Sequence, residues 1–109
     1  MSESHLLVLC TLPDRESAER TAEAVVDRGL AACVSIVPGL TSIYRWQGKR
    51  ESGEELLLLF KTRESVYEAL QAFLASGHPY ELPEIIAVPI SRGLPDYLAW
   101  IDTNTGVTR

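Results

Sequence analysis

The hydrophobic and polar positions along the chain follow two periods, and the change between them separates strands from helices. Four segments are either apolar on both sides or alternate with a period of two, which is typical of strands, and they cover 6–11, 31–46, 54–61 and 85–90. Two segments between them place apolar residues three and four positions apart, as an amphipathic helix does, at about 14–28 and 62–77. A third, short helix is predicted to open at Leu94-Pro95-Asp96.

The predicted ends of these elements rest on a few residues. Asp14 is suited to the N-cap of the first helix, and Gly29 is suited to end that helix in the left-handed conformation. Thr62 is predicted to cap the second helix, which ends at Gly77. Residues 1–109 are predicted to form a single domain, with an ordered core over 5–102 and a loose tail over 103–109.

The second strand is too long for a small sheet. A strand covering 31–46 would extend about 50 Å at about 3.3 Å per residue, so it must bend or protrude. Pro38-Gly39 is the predicted bulge. The chain beyond the bulge is therefore predicted to form half of an extended β-hairpin arm, which turns within 47–53.

The element order βαββαβ plus a short C-terminal helix predicts an α+β, ferredoxin-like fold with both main helices on one face of an antiparallel sheet of order 4-1-3-2. Three of the strands are apolar on both faces, over 6–9, 56–60 and 85–88. Two helices cover only one face, and soluble monomers rarely expose a bare apolar face of this size. The sequence therefore predicts an obligate oligomer, unless the third helix folds under the sheet and covers that face.

The net charge and the amino terminus of the chain indicate which partners and which cellular location to expect. The net charge is −5 and the sequence pI is near 4.9, which argues against binding to nucleic acid or to an anionic membrane. The start of the chain has no basic region, and the apolar run from Leu6 to Cys10 is much shorter than a signal sequence or a membrane span. We therefore expect a cytoplasmic protein in which Cys10 and Cys33 are free thiols.

The predicted strand order brings Cys10 towards His78, because the end of the first strand lies beside the start of the fourth. A thiolate and an imidazole together suit copper or zinc. Structural zinc needs four ligands, so the missing ones would come from water, from Glu84 or from another subunit. The alternative is that Cys10 is a small buried core residue and that a main-chain carbonyl satisfies His78.

A second group combines aromatic and charged side chains near strand ends and on the arm: Tyr44, Trp46, Lys61, Tyr80 and Glu84. Such side chains suit a cleft for a small anionic or zwitterionic ligand between subunits, although the aromatic ones are equally typical of plain interface contacts. An enzyme is not expected. The pair Cys10 and His78 has no third orienting residue, and the chain has no glycine-rich phosphate loop.

Nearly the whole chain, from Leu7 to Trp100, resembles the CutA family of divalent-ion tolerance proteins. The matching motifs are Leu9-Cys10-Thr11-x-Pro13-Asp14, Gly29-Leu30-Ala31-Ala32-Cys33, Pro38-Gly39, Tyr44-x-Trp46-x-Gly48-Lys49, Lys61-Thr62 and His78-Pro79-Tyr80-x-x-Pro83-Glu84. The resemblance implies a ferredoxin-like subunit in a homotrimer, with the sheets inside, the arms packed on neighbours, and a shape related to PII signalling proteins. It also implies tolerance of copper and other divalent cations, with copper bound at Cys10 and His78.

The chain departs from this pattern at Gly77, where some relatives carry a second histidine. One potential metal ligand is therefore missing. Two functions stay open on the sequence alone. In the first, a trimer binds copper or another divalent cation through Cys10 and His78. In the second, a PII-like trimer holds a small molecule in the cleft between subunits, and metal binding is incidental.

Overall fold

The computed structural model of the protein describes residues 4–106. Its elements, in chain order, are β1 (His5–Leu12), α1 (Arg15–Asp27), β2 (Cys33–Trp46), β3 (Lys49–Arg63), a 3₁₀ turn (Glu64–Val66), α2 (Tyr67–Gly77), β4 (Ile85–Ile90) and α3 (Pro95–Thr103). The strands form one antiparallel sheet in the order β2-β3-β1-β4. This is the order 4-1-3-2, so the predicted ferredoxin-like α+β fold is confirmed.

The first helix begins and ends where the sequence predicts. The carboxylate of Asp14 accepts a hydrogen bond from the Ser17 main-chain N at 2.8 Å, and this bond lowers the pKa of Asp14. Gly29 follows the helix with φ of 71°, which is the left-handed stop. These two signals act over a few residues, which explains why they could be recognised without knowledge of the fold.

The hydrophobic core lies between the two helices α1 and α2 and the sheet face that they cover. Its buried members come from alternate positions of β1 and β3 and from the inner sides of the two helices: Leu6, Val8, Cys10, Leu12, Ala18, Ala22, Val25, Leu58, Phe60, Leu70 and Leu74. Because side chains alternate between the two faces of a strand, the intervening residues point to the opposite face.

That opposite face is apolar and largely uncovered in the single chain. The register aligns Leu9 with Ile86 on one side and with Leu59 on the other, and Ile86 is 51% exposed. Only α3 packs on this side among the described elements, where it lies against β3. The third helix therefore leaves part of this face exposed, and the exposed part is available to another subunit.

The hairpin arm differs from the prediction at its tip. The turn consists of Gln47 and Gly48 alone, with φ of 52° and 81°, and β3 begins directly at Lys49. The predicted turn over 47–53 was therefore too wide, because a two-residue turn with positive φ at both positions matches the strand twist and lets pairing continue to the tip. The bulge prediction is confirmed, since the β2–β3 register shifts between Val37 and Leu40.

Thr62 does not cap the second helix. It lies in β3 with its side chain fully buried, and its hydroxyl donates to the main-chain carbonyl of Leu30 at 2.8 Å. The chain passes through the 3₁₀ turn before α2 begins, and α2 has no side-chain cap. Leu30 is 32 positions away in the sequence, so only the fold brings its carbonyl within reach of the Thr62 hydroxyl.

Residues 103–106, predicted as part of a loose tail, are packed. Thr103 is the last residue of α3, and Thr105 is fully buried. The guanidinium of Arg63 donates to the Thr105 hydroxyl and carbonyl oxygens, each at 2.7 Å. The rest of the predicted tail, 107–109, lies outside the described residues. Within 4–106, no helix has both the length and the hydropathy needed to cross a bilayer.

Candidate functional site

The loop between α2 and β4 is fixed to the end of β1 by His78. The Nε2 atom of His78 lies 2.7 Å from the Thr11 carbonyl oxygen, and its Nδ1 accepts a hydrogen bond from the Tyr80 main-chain N at 3.0 Å. An Nδ1 that accepts carries no proton, so Nε2 carries it and donates to the carbonyl. Both nitrogens of the imidazole are therefore occupied, and the ring is held 4.8 Å from the Tyr80 ring.

Cys10 lies at the same end of β1 but on the helix-covered face. Its side chain is fully buried, and its thiol is 3.8 Å from the same Thr11 carbonyl oxygen that His78 contacts. Burial, followed by the negative charges of Glu84 and Glu55, raises the pKa of the Cys10 thiol to about 12. The two predicted metal ligands are thus neighbours, as the strand order predicted, but the thiol is neutral and buried.

A cleft of about 700 Å³ opens beside this junction, between the hairpin arm and the proline-rich loop. Its lining combines aromatic rings, carboxylates and small polar groups: Thr11, Ser42, Tyr44, Arg45, Trp46, Glu55, Pro79, Tyr80, Glu81, Leu82, Pro83 and Glu84. Four of the five residues predicted for a ligand cleft meet here, namely Tyr44, Trp46, Tyr80 and Glu84. We call this space the arm cleft.

Glu55 anchors the floor of the arm cleft, and sequence reasoning missed it. Its Oε2 accepts from the Tyr80 hydroxyl at 2.8 Å, and its Oε1 accepts from the Ser42 hydroxyl at 2.5 Å. Burial, followed by the hydrogen bond and negative charge of Glu55, raises the pKa of Tyr80. The sequence shows only that Glu55 directly precedes an apolar run, and the observed β2–β3 register then places it opposite Leu40, just after the bulge.

Lys61 is not part of the arm cleft. It follows Glu55 by six positions in β3, which separates the two by about 20 Å along the strand. Its ammonium group donates to the Ser35 hydroxyl and lies 3.7 Å from the Cys33 sulfur. Tyr97 of α3 lies near Cys33. Burial raises the pKa of Tyr97, and the charge and hydrogen bond of the Cys33 side chain raise it further. Within the single chain, the register of β3 therefore separates Lys61 from the arm cleft. The predicted cleft between subunits stays a prediction.

Comparison with known proteins places the chain in a family. The profile described as CutA1 divalent ion tolerance protein matches residues 6–104. The chain belongs to this family. The resemblance seen in the sequence is therefore confirmed, and the name of the CutA1 family refers to tolerance of divalent ions rather than to a catalytic activity.

Individual relatives agree with this assignment over almost the whole chain. The Divalent-cation tolerance protein CutA of Thermus thermophilus is 51% identical over 100 residues, which cover 92% of this chain and 97% of the relative. A solved structure of a divalent cation tolerance protein from Thermus thermophilus has a TM-score of 0.92 at 50% identity and covers 94% of this chain and 99% of its own. The crystal structure of CutA1 from Oryza sativa has a TM-score of 0.94 at 40% identity, with 98% of both chains covered.

Proposed function

We propose that this CutA1 family member acts as a homotrimer that binds a small ligand in the arm cleft, and that it serves divalent-ion tolerance through that ligand. The size and the lining of the cleft support this proposal most strongly. Its volume of about 700 Å³ falls in the range of small-molecule sites, and its lining combines aromatic rings with a few fixed polar groups.

The arm cleft is ordered before any ligand arrives. Glu55 fixes the Tyr80 hydroxyl, and His78 fixes the Tyr80 main chain and the adjoining loop through its two ring nitrogens. The proline at 79 and the proline at 83 restrict the loop further. A site whose side chains are held in place loses less conformational entropy on binding, which favours affinity for a small ligand.

The uncovered sheet face supports the homotrimer. Ile86, Val88 and Val37 are 51%, 44% and 41% exposed, although each is a strand residue on the same apolar face. A face of this kind is normally buried by another subunit. Native mass spectrometry at nanomolar concentration tests the assembly: a species of three chains supports it, whereas a folded 12.1 kDa species contradicts it.

Copper binding at Cys10 and His78 is the second candidate function. One observation favours it, since both side chains contact the Thr11 carbonyl oxygen and so lie close together. The fit is poor in the described conformation, because the thiol is neutral and both imidazole nitrogens are in hydrogen bonds. Within residues 4–106, no group of three or more His, Cys, Asp or Glu side chains could hold a metal ion. A bound copper ion would require His78 to lose one of its two hydrogen bonds, either to the Thr11 carbonyl oxygen or from the Tyr80 main-chain N.

A thermal-shift screen separates the two functions. Metabolites and divalent metal ions are tested with the wild type, with Tyr44→Leu in the cleft, and with Cys10→Ser and His78→Ala. A ligand that binds only the folded protein raises its melting temperature by mass action. The proposal expects metabolite shifts that Tyr44→Leu reduces and Cys10→Ser leaves intact. A copper shift that Cys10→Ser and His78→Ala abolish, with no metabolite shift, would favour the metal function instead.

A further inference from the structure

We propose that the ligand of the arm cleft is a small organic ammonium ion, held against the aromatic rings by the carboxylates of Glu81 and Glu84. The inference rests on the proposed function, since it assigns the chemical class of the ligand to the same cleft. It reverses the expectation from the sequence, which included Lys61 in the cleft and therefore favoured an anionic or zwitterionic ligand.

The net charge of the cleft lining favours a cation. Its lining holds three carboxylates, those of Glu55, Glu81 and Glu84, and the guanidinium of Arg45. Arg45 is exposed on the arm and directs its guanidinium towards the Gly48 carbonyl oxygen at the hairpin turn, 3.4 Å away. The cleft is therefore negative in sum, so an anion would be repelled and a cation attracted.

The aromatic rings of the cleft also favour a cation. In the single chain, Tyr44 and Trp46 are 50% and 37% exposed on the arm, and among the described residues neither stacks on another ring. Tyr80 adds a third aromatic side chain to the lining. Aromatic faces attract cations through the ring quadrupole, and groups of such rings are a known way to bind quaternary ammonium ions. Rings with nearby carboxylates thus suit an ammonium head better than a neutral ligand of the same shape.

A bare metal ion suits the cleft less well. Both oxygens of Glu55 already accept hydrogen bonds, from Tyr80 and Ser42. In the described part of the chain, the remaining carboxylates do not gather into a group of three donors. Hard divalent ions are surrounded by six or more oxygen atoms from protein or water, and aromatic rings supply none. The lining therefore suits an ammonium ion better than a bare metal ion.

A fluorescence titration tests the charge requirement directly. The Trp100→Phe variant leaves Trp46 as the sole tryptophan of the chain, and phenylalanine keeps an aromatic ring beside Tyr97. This variant is titrated with choline and with 3,3-dimethylbutan-1-ol, which has the same shape but carbon in place of the charged nitrogen. Tetramethylammonium and putrescine extend the series, and glutarate represents the anions. We expect saturable changes in Trp46 emission with the ammonium ions and none with the neutral alcohol or with glutarate.

Matched variants locate the binding. Glu84→Gln removes one cleft charge with little change of shape, and Tyr44→Leu removes one ring. Each is expected to weaken ammonium binding by about threefold to fivefold, the effect of one partly exposed cation–π or ion contact. Glu23→Gln, an equivalent change on the exposed side of α1, should leave the affinity unchanged.

The outcomes separate the ligand class from the proposed function. Equal binding of choline and the neutral alcohol, or no response to any ammonium ion at millimolar concentration, would overturn the ammonium assignment. If glutarate or another anion binds and Tyr44→Leu weakens it, the assignment fails but the arm cleft remains a ligand site. If no metabolite of any charge perturbs Trp46 or the melting temperature, the proposed function itself fails.

Discussion

The hydrogen bond between Tyr80 and Glu55 provides the most direct test of the arm cleft as a built structure. The Tyr80→Phe variant removes one hydroxyl and leaves the ring in place. The Oε2 atom of Glu55 then loses the donor that lies 2.8 Å away in the wild type. We expect the variant to fold, with a lower free energy of unfolding than the wild type and a more mobile loop beside His78.

The magnitude follows from the charge and burial of the pair. A hydrogen bond to a charged group contributes about 1.5–3 kcal/mol when water is excluded. Both side chains are only half-buried, so water replaces part of the lost interaction and we expect a loss of about 1 kcal/mol. For a domain of this size, such a loss lowers the melting temperature by about 4–8 °C.

The assay is urea unfolding at fixed protein concentration, combined with a double-mutant cycle of Tyr80→Phe and Glu55→Ala, in which each single substitution removes one partner of the hydrogen bond. Tyr67→Phe is the matched control, since the Tyr67 hydroxyl bonds to Gln71 at 2.8 Å on the exposed surface of α2. That control should change the free energy of unfolding by less than about 0.5 kcal/mol. A zero coupling energy, or equal effects of the two tyrosine substitutions, would refute the reasoning.

Three further predictions concern the scaffold. Thr62→Val removes the buried donor to a main-chain carbonyl and should reduce the free energy of unfolding by about 1–3 kcal/mol in urea, whereas Thr62→Ser should retain most of it. Gly39→Ala should lower the free energy of unfolding by about 1 kcal/mol, because Gly39 has φ of +80°. Gly53 has an ordinary φ and equally open space around it, so Gly53→Ala should leave this free energy unchanged. Equal effects of the two substitutions in urea unfolding would contradict the prediction. The folded protein keeps the Cys10 thiol neutral, so the stabilising effect of this thiol is complete below its ordinary pKa of 9.0 and is lost as the pH rises towards 12. Over this pH range, Cys10→Ala should therefore lose less stability than the wild type. Alkylation of the native protein should modify Cys33 before Cys10, because Cys10 is buried.

Local signals explain why the fold could be predicted so fully. The Asp14 cap, the Gly29 stop and the Gly39 bulge each act within a few residues, and all three are observed. The apolar character of three strands on both faces also predicted an uncovered sheet face, because two helices cannot cover both. Thr62 was assigned wrongly because its partner, Leu30, is distant in sequence and only the fold brings them together.

The candidate site was only partly predictable for the same reason. Aromatic residues on the arm and in the proline-rich loop were identified as cleft residues, since strand ends and protruding ribbons lie at the surface. Lys61 lies outside the arm cleft of the single chain, and Glu55 was missed, because only the β3 register fixes which end of the sheet each one occupies. With Glu55 in the cleft and Lys61 outside it, the cleft is negative, and the expected ligand is a cation.

A crystal structure of the protein grown with choline would show whether the arm cleft holds an ammonium ligand. We expect density for the ammonium head against the rings of Trp46 and Tyr80, with the carboxylate of Glu84 close to the positive charge. Choline bound elsewhere on the protein, or an empty arm cleft in crystals grown at a saturating choline concentration, would overturn the ammonium assignment.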